Sequence, residues 1–252
     1  NLSGRVGSVG RPLPGLGRDV RLARCDPASG DLVRDADGFL AACAAGEAGE
    51  LLCRVRETPL LRHEGFLDPQ ATAARVVRDA FRRGDRWVRS GDLLRRADDG
   101  HFEMVDHAAD TLRSGGAVVS MLELADALNG RGGIAEACAF AVDLPGRGAP
   151  AVMVAVVPER DTPFDGVAFH RAVQALAPAA RPVFVRVVAR MDVNGVWRQR
   201  RDELRRQGYD PARIADPLFV RSDAEDAYVP LTPERLARLR GGSWVVSPPG
   251  AG

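Results

Sequence analysis

The side chains best suited to chemistry lie in one stretch, WVRSGDLLRRADDGHFEMVDHAADTLRSGG, which spans residues 87–116. Near its start, the carboxylate of Asp92 follows two small residues, Ser90 and Gly91. A carboxylate fixed in this way can accept two charge-strengthened hydrogen bonds at once, as a vicinal diol requires. The alternative is that Asp92 only caps a turn, and spacing alone favours that simpler interpretation.

Two runs of alternating polar and apolar residues must position this carboxylate. They cover residues 92–97 and 101–106, and they are joined at Asp99-Gly100. Asp-Gly between such runs is the strongest short-range signal for a β-hairpin. The sequence therefore predicts a hairpin that begins at Asp92 and is followed by a polar, glycine-rich loop.

The order of these motifs resembles that of a known family. Ser-Gly-Asp, a hairpin, and then Val-Asp-His-x-x-Asp-Thr-x-Arg-x-x-Gly is similar to the hinge region of the adenylate-forming acyl-CoA synthetases. The most similar branch is the very-long-chain acyl-CoA synthetase and fatty-acid transport protein group, which typically reads Arg-Thr-Gly-Asp-Leu, Asp-Gly-Tyr-Phe and Val-Asp-Arg-x-Gly-Asp-Thr-Phe-Arg. The likeness runs from residues 4–11 to residues 228–234, so it covers nearly the whole chain.

The resemblance implies ATP-dependent activation of a carboxylic (fatty) acid. In that family the acid attacks the α-phosphate of ATP to form an acyl-adenylate, and coenzyme A then displaces AMP. The implied cofactors are ATP, Mg²⁺ and coenzyme A, and the implied substrate is a small-molecule acid. The family's adenine-contacting and phosphate-binding segments would precede Asn1. An N-terminal half, covalent or separate, is therefore a further expected partner, and this chain alone is expected to be inactive.

The resemblance also implies a fold and a division into domains. The expected fold class is α+β, with the β-rich end of a large AMP-binding domain over residues 1–105 and a small mobile lid domain over residues 106–240. Residues 241–252 are expected to form a flexible tail. The lid swings between two settings, and its hinge would lie at Asp106, Ala108 and Ala109, because small residues permit large changes in φ and ψ.

The family's binding roles apply only to the residues of this chain that match the family's motifs. The resemblance assigns cofactor binding to Asp92, His107, Arg113, Gly115 and Gly116. His107 stands where the family has an arginine, and an imidazole is a poorer phosphate partner than a guanidinium. The two glycines fall within the family's Lys-Gly-Glu-Asn run, so this loop has lost a cation and two polar side chains.

The catalytic lysine of the family has no counterpart in this chain. All 35 basic residues are arginine. The family's Thr-Gly-Thr-Phe-Lys reads Asn-Gly-Val-Trp-Arg over residues 194–198, which makes Arg198 the implied catalytic residue. A genomic preference for arginine codons explains most of the lysine deficit. It should not explain the catalytic position, because an ammonium and a planar guanidinium are not interchangeable there.

Three functional hypotheses fit this pattern. The first is an ATP-dependent acyl-CoA synthetase represented by its C-terminal part. The second is a divergent adenylate-forming enzyme of secondary metabolism that activates another oxyanion, such as nitrite, without coenzyme A. The third is a non-catalytic pseudoenzyme or interaction partner. The first is favoured because the resemblance is long and colinear, and none of the three identifies the acid.

Composition narrows the function classes further. Thirty-five basic and 34 acidic residues leave a net charge of +1, which argues against a nucleic-acid-binding protein or a strongly basic membrane patch. The longest apolar run, residues 149–157, is too short to span a bilayer, and no signal-peptide pattern opens the chain, so we predict a cytoplasmic protein. The four widely spaced cysteines predict buried or idle thiols and no metal site.

Capping signals and hydrophobic periodicity predict the remaining elements. One helix should begin at Asp68-Pro69, bury a face from Ala73 to Phe81, and end at Gly84. Another should begin at the capping box Ser120-x-x-Glu123. The other predicted strands cover residues 20–22, 50–55, 135–142, 151–157 and 183–188, and the other predicted helices cover residues 165–176 and 199–207.

Overall fold

The computed structural model describes residues 7–13, 15, 17–56, 58, 62–114, 117–144, 150–191, 201–241 and 244. The chain divides into two compact units, Asn1–Ala109 and Asp110–Gly252. The predicted domain boundary at Asp106 lies inside the last strand of the first unit, three residues before Ala109, the end of that unit. The α+β fold class is confirmed, because each unit combines a β-sheet with helices.

The first unit is an antiparallel sheet with one short helix. Its elements are β1 (Ser8–Gly10), β2 (Val20–Ala23), β3 (Ala48–Arg54), α1 (Pro69–Arg75), β4 (Val76–Arg78), β5 (Arg86–Arg96) and β6 (Phe102–His107). Over the described residues the strand order is β1-β6-β5-β3-β2, and β4 pairs with one end of β5. The predicted hairpin is confirmed as β5 and β6, with Gly100 in a left-handed conformation at φ +83°.

The core of the first unit is small and is completed by a polar group. Trp87 is 2% exposed and packs edge-on against Phe81, with ring centroids 4.9 Å apart. The carboxylate of Asp85 accepts hydrogen bonds from the indole Nε1 of Trp87 at 2.8 Å and from the backbone N–H of Ala80 at 2.7 Å. Asp85 is itself buried, so this carboxylate holds the turn against the core.

The prediction of a helix reaching Gly84 is wrong. The predicted start is confirmed, because Asp68 caps the helix and accepts from the N–H of Gln70, but α1 ends at Arg75. The β-branched residues Val76 and Val77 instead pair with β5. Their apolar spacing suits a strand edge as well as a helix face, and pairing with β5 decided between the two.

The second unit contains a larger mixed sheet. Its elements are β7 (Thr111–Ser114), β8 (Ala117–Ser120), α2 (Met121–Leu128), β9 (Ile134–Val142), β10 (Ala151–Pro158), α3 (Gly166–Val173), β11 (Phe184–Val187), α4 (Arg201–Gln207), β12 (Leu218–Ser222), β13 (Ala227–Pro230) and α5 (Pro233–Arg240). Within the described parts of the chain, the sheet order is β13-β12-β11-β10-β9, and only β10 and β11 run parallel. Strands β7 and β8 form a separate two-stranded ribbon.

Both faces of this sheet are buried. Alternate residues of β9 and β10 belong to different apolar clusters, one on each face of the sheet. Helices α2 and α3 cover one face, and α5 covers the other. Strands buried on both sides read as continuous apolar runs, which is why residues 151–157 alone predict a strand so clearly. The capping box at Ser120 is confirmed, since its Oγ accepts from the N–H of Glu123 at 3.0 Å.

Two further sequence predictions concern the end of the chain and the membrane. Of the predicted tail, Gly241 and Trp244 are described, and the indole Nε1 of Trp244 donates to the carbonyl oxygen of Arg221 at 3.1 Å. In the described part of the chain, no helix is both long and apolar enough to cross a bilayer.

Candidate functional site

Asp92 lies in a bulge of β5 and not in a regular ladder. Glu50 of β3 faces Leu93, whereas Leu52 faces Arg89, so four residue steps of β5 span the length of two steps of β3. The extra residues lift Ser90-Gly91-Asp92 out of register with β3, and bulges of this kind often re-aim a side chain. The simple turn cap that spacing favours is therefore not what the structure shows.

The carboxylate of Asp92 meets the imidazole of His107. The two residues face each other across β5 and β6, and His107 Nδ1 lies 2.7 Å from Asp92 Oδ1. Their side chains are 34% and 37% exposed, so the pair reaches solvent. The preceding residue, Asp106, is 1% exposed, and its Oδ1 accepts from the N–H of His107 at 2.8 Å. The hairpin thus joins two of the residues to which the sequence assigned binding roles.

The predicted hinge residues lie where the first unit ends. Ala108 and Ala109 lie in a single 3₁₀ turn, Ala108–Asp110, directly after β6. Asp110 opens the second unit, and its carboxylate lies 2.6 Å from Arg205 Nη2 and 3.6 Å from Arg201 Nη1, both on α4. The first residue of the second unit is therefore tied to a helix of that unit.

Arg113 belongs to a different unit from Asp92 and His107. It is half-buried in β7, opposite Val118, and belongs to the second unit, whereas Asp92 and His107 belong to the first. Gly115, Gly116 and Arg198 lie outside the described residues, so their predicted roles stay predictions.

Sequence reasoning missed two charged residues that hold the bulge. Glu50 accepts from the backbone N–H of Gly91 at 3.2 Å, and Arg75 Nη1 donates to the carbonyl oxygen of Ser90 at 3.0 Å. A glutamate inside an otherwise apolar strand, Glu50-Leu-Leu-Cys, is the signal that could have predicted a buried ion pair.

Three of the four cysteines have a raised pKa. Burial raises the pKa of Cys43 to about 12 and that of Cys138 to about 11, so both thiols are protonated at neutral pH. Burial, followed by the charge of Asp92, also raises the pKa of Cys53. Among the described residues, no three His, Cys, Asp or Glu side chains are grouped so as to hold a metal ion.

Comparison with known proteins extends these observations. No family model matches the chain. Long-chain fatty acid transport protein 1 of Homo sapiens is 30% identical over 250 residues, which cover 98% of this chain and 38% of that protein. Medium/long-chain-fatty-acid–CoA ligase FadD6 of Mycobacterium tuberculosis is 37% identical over 203 residues, which cover 80% of this chain and 34% of that protein. The chain thus spans little more than a third of these relatives.

Solved structures share the fold. The amide bond synthetase McbA from Marinactinospora thermotolerans matches 79% of this chain and 36% of its own, with a TM-score of 0.57 and 23% identity. ATP-bound MatB from Rhodopseudomonas palustris matches 79% of this chain and 35% of its own, with a TM-score of 0.61 and 20% identity.

The fold is thus that of the C-terminal part of an adenylate-forming ligase. With the sequence relatives, it shows that the chain belongs to the adenylate-forming superfamily, in its very-long-chain acyl-CoA synthetase and fatty-acid transport protein branch.

Proposed function

We propose that this chain acts as the C-terminal part of an enzyme that activates a medium- or long-chain fatty acid with ATP and then transfers the acyl group to coenzyme A. The observation that carries the proposal is the solvent-reaching pair formed by Asp92 and His107. The two chain lengths are those in the name of the mycobacterial ligase relative.

The Asp92–His107 pair fits the ribose of a nucleotide. The carboxylate of Asp92 can accept a hydrogen bond from a diol hydroxyl, and His107 Nδ1, 2.7 Å from the same carboxylate, orients it. His107 cannot supply the permanent charge of the arginine that it replaces, so in this proposal it orients Asp92 and does not clamp phosphate.

The described residues account for only part of the cofactor binding. ATP would supply the α-phosphate that the acid attacks, and Asp92 is suited to bind the ribose of ATP. The described residues contain no grouped ligands for Mg²⁺, so no residue of this chain is assigned to that ion. The role of coenzyme A rests on the similarity to the mycobacterial CoA ligase.

An N-terminal part of the enzyme is included in the proposal. Phe66 and Leu67, in the loop before α1, are 54% and 106% exposed. Two adjacent apolar side chains left in solvent are suited to being covered by another part of a larger protein. We therefore expect the isolated chain not to form acyl-adenylate.

One experiment tests the proposal directly. This chain replaces the matching segment of the mycobacterial relative, and ATP–pyrophosphate exchange is measured with fatty acids of medium and long chain length. Exchange by the chimaera, its absence from the isolated chain, and its loss in the Asp92→Asn chimaera are the expected results. A chimaera that folds but shows no exchange would support the hypothesis of a non-catalytic partner. Exchange without thioester formation would support an enzyme that works without coenzyme A.

A second experiment, in the same chimaera, tests the role of Arg198. If Arg198 replaces the family lysine, Arg198→Ala should slow adenylation by about 10²–10³-fold, as expected when one transition-state donor is lost. Thioester formation from preformed acyl-adenylate should change little. Arg198→Lys should keep or raise activity if the guanidinium is a drifted substitute, and lower it if the site is built around the guanidinium. Unchanged adenylation in Arg198→Ala would remove Arg198 from the proposal.

A further inference from the structure

The bulge that carries Asp92 leaves backbone groups of β5 without partners in the neighbouring strand β3. Over Ser90-Gly91-Asp92, no register pair with the described residues of β3 exists, so these N–H and C=O groups must bond elsewhere. The N–H of Asp92 bonds locally, to Ser90 Oγ at 2.9 Å. The C=O of Ser90 and the N–H of Gly91, which belong to one peptide unit, bond to charged side chains from two other elements.

Glu50 accepts a hydrogen bond from the N–H of Gly91. Its carboxylate is 1% exposed and accepts from that N–H at 3.2 Å. The same carboxylate accepts from Arg89 Nε at 3.0 Å and from Arg89 Nη2 at 2.6 Å. A buried carboxylate bound on two sides has few alternative positions, so the N–H that it holds is fixed too.

Arg75 binds the carbonyl group of the same peptide unit. Its Nη1 donates to the carbonyl oxygen of Ser90 at 3.0 Å. Gly91 itself has φ +81°, and a Cβ added there would lie 3.0 Å from Arg75 Nη1. The left-handed conformation favours glycine at this position, whereas the guanidinium, at the flexible end of its side chain, could move aside for a Cβ.

We propose that Glu50 is a positioning residue for nucleotide binding: through the N–H of Gly91 and through Arg89, it fixes the bulge and therefore the carboxylate of Asp92. This inference rests on the proposed function, since it gives Asp92 the ribose contact described above. Its structural part concerns this chain alone and can be measured without any catalysis.

The first experiment measures the bulge in the intact chain. Amide hydrogen exchange and imidazole signals are recorded by NMR for the wild type and for Glu50→Gln. The amide of Gly91 should exchange at least about tenfold faster, as expected when a hydrogen bond to a charged group is weakened. The signals of the His107 ring should also shift. Unchanged exchange at Gly91 together with an unchanged His107 ring would overturn the proposal.

Two further variants separate positioning from general stability. Asp19→Asn is the matched control, because Asp19 is a buried carboxylate of the same unit, bound by Arg56 at 2.6 Å, that does not touch the bulge. It should leave Gly91 and His107 unchanged. If Glu50→Gln fails to fold because Arg89 is left uncompensated, Glu50→Met/Arg89→Met replaces the whole pair by apolar groups. That variant should fold and still show fast exchange at Gly91.

The functional part is measured in the active chimaera. Glu50→Gln should raise the KM for ATP about tenfold with a smaller change in kcat, since a ribose contact is made in both ground and transition states. Asp19→Asn should leave KM unchanged. An inactive wild-type chimaera would count against the proposed function, whereas a KM equal to the wild type in Glu50→Gln would overturn the positioning role alone.

Discussion

Among the described residues, the first unit buries four carboxylates, Asp19, Glu50, Asp85 and Asp106, whereas the second unit buries none. The second unit instead encloses its five-stranded sheet between two large apolar clusters, and the first unit has one small cluster around Trp87. The difference indicates that buried carboxylates contribute more to the shape of the first unit, while apolar burial on both faces of the sheet stabilises the second. The candidate site lies in the unit shaped by those bonds.

The largest expected effect tests the apolar side of this comparison. Phe140, in β9, is fully buried in the second unit, so Phe140→Ala should lower the free energy of unfolding of that unit by about 3–5 kcal/mol. Hydrogen exchange in β10 peptides reports it, with β3 peptides as the reference for the first unit. The control is Val167→Ala, since Val167 is 44% exposed. Equal effects of the two variants would contradict the comparison.

The next effect tests the polar side. Asp85→Asn removes a buried charge that accepts from Ala80 and Trp87, and the new amide N–H₂ faces donors. The free energy of unfolding of the first unit should fall by about 2–3 kcal/mol. Urea denaturation followed by the NMR signal of the Trp87 indole N–H measures it. Asp98→Asn, an exposed change in the hairpin turn, is the control and should leave the transition in place. If both variants behave alike, buried carboxylates do not shape this unit.

A smaller effect concerns the residue that opens the second unit. Asp110→Asn should weaken the tie to Arg205 by about 1 kcal/mol, because the pair is only partly buried. Amide exchange in α4 should rise severalfold, which NMR resolves residue by residue. Asp202→Asn is a matched control, since Asp202 is 97% exposed and lies 3.8 Å from the same arginine. An equal rise in the control would mean that Asp110 is not an anchor.

The smallest effect depends on pH and concerns a buried histidine of the second unit. Burial lowers the pKa of His170 below its ordinary value of 6.5, although Asp226 and Asp223 partly offset it. The unfolded state therefore binds more protons than the folded state below about pH 6.5, and stability should fall as pH drops through that range. His170→Gln should remove part of this slope in urea titrations at pH 5 to 8. An unchanged slope would show that His170 does not contribute.

Local signals predicted much of the fold correctly. The hairpin at Asp99-Gly100, the capping box at Ser120 and the apolar strand at residues 151–157 depend on residues close together in sequence. The helix predicted to reach Gly84 failed because Val76 and Val77 could join either a helix face or a strand edge. The backbone pairing of these two residues with β5 decided between the helix and the strand.

The candidate site was predicted in part. Asp92 and His107 were identified by resemblance, and the hairpin register places them together. Glu50 and Arg75 were not identified, because each lies 16 or more residues from Gly91 and only the folded sheet brings them to it. No local pattern records a contact of that kind.

Residue types and their order were enough to predict the family, the hairpin and the helix caps, and they show that the chain has no lysine. These depend on residue types in a fixed order or within a few residues of each other. Only the folded chain shows that the strand carrying Asp92 bulges, that Gly91 adopts φ +81°, and that Glu50 and Arg75 bind the bulge. The reason is physical: an N–H displaced from a ladder bonds to whichever acceptor the folded chain places beside it.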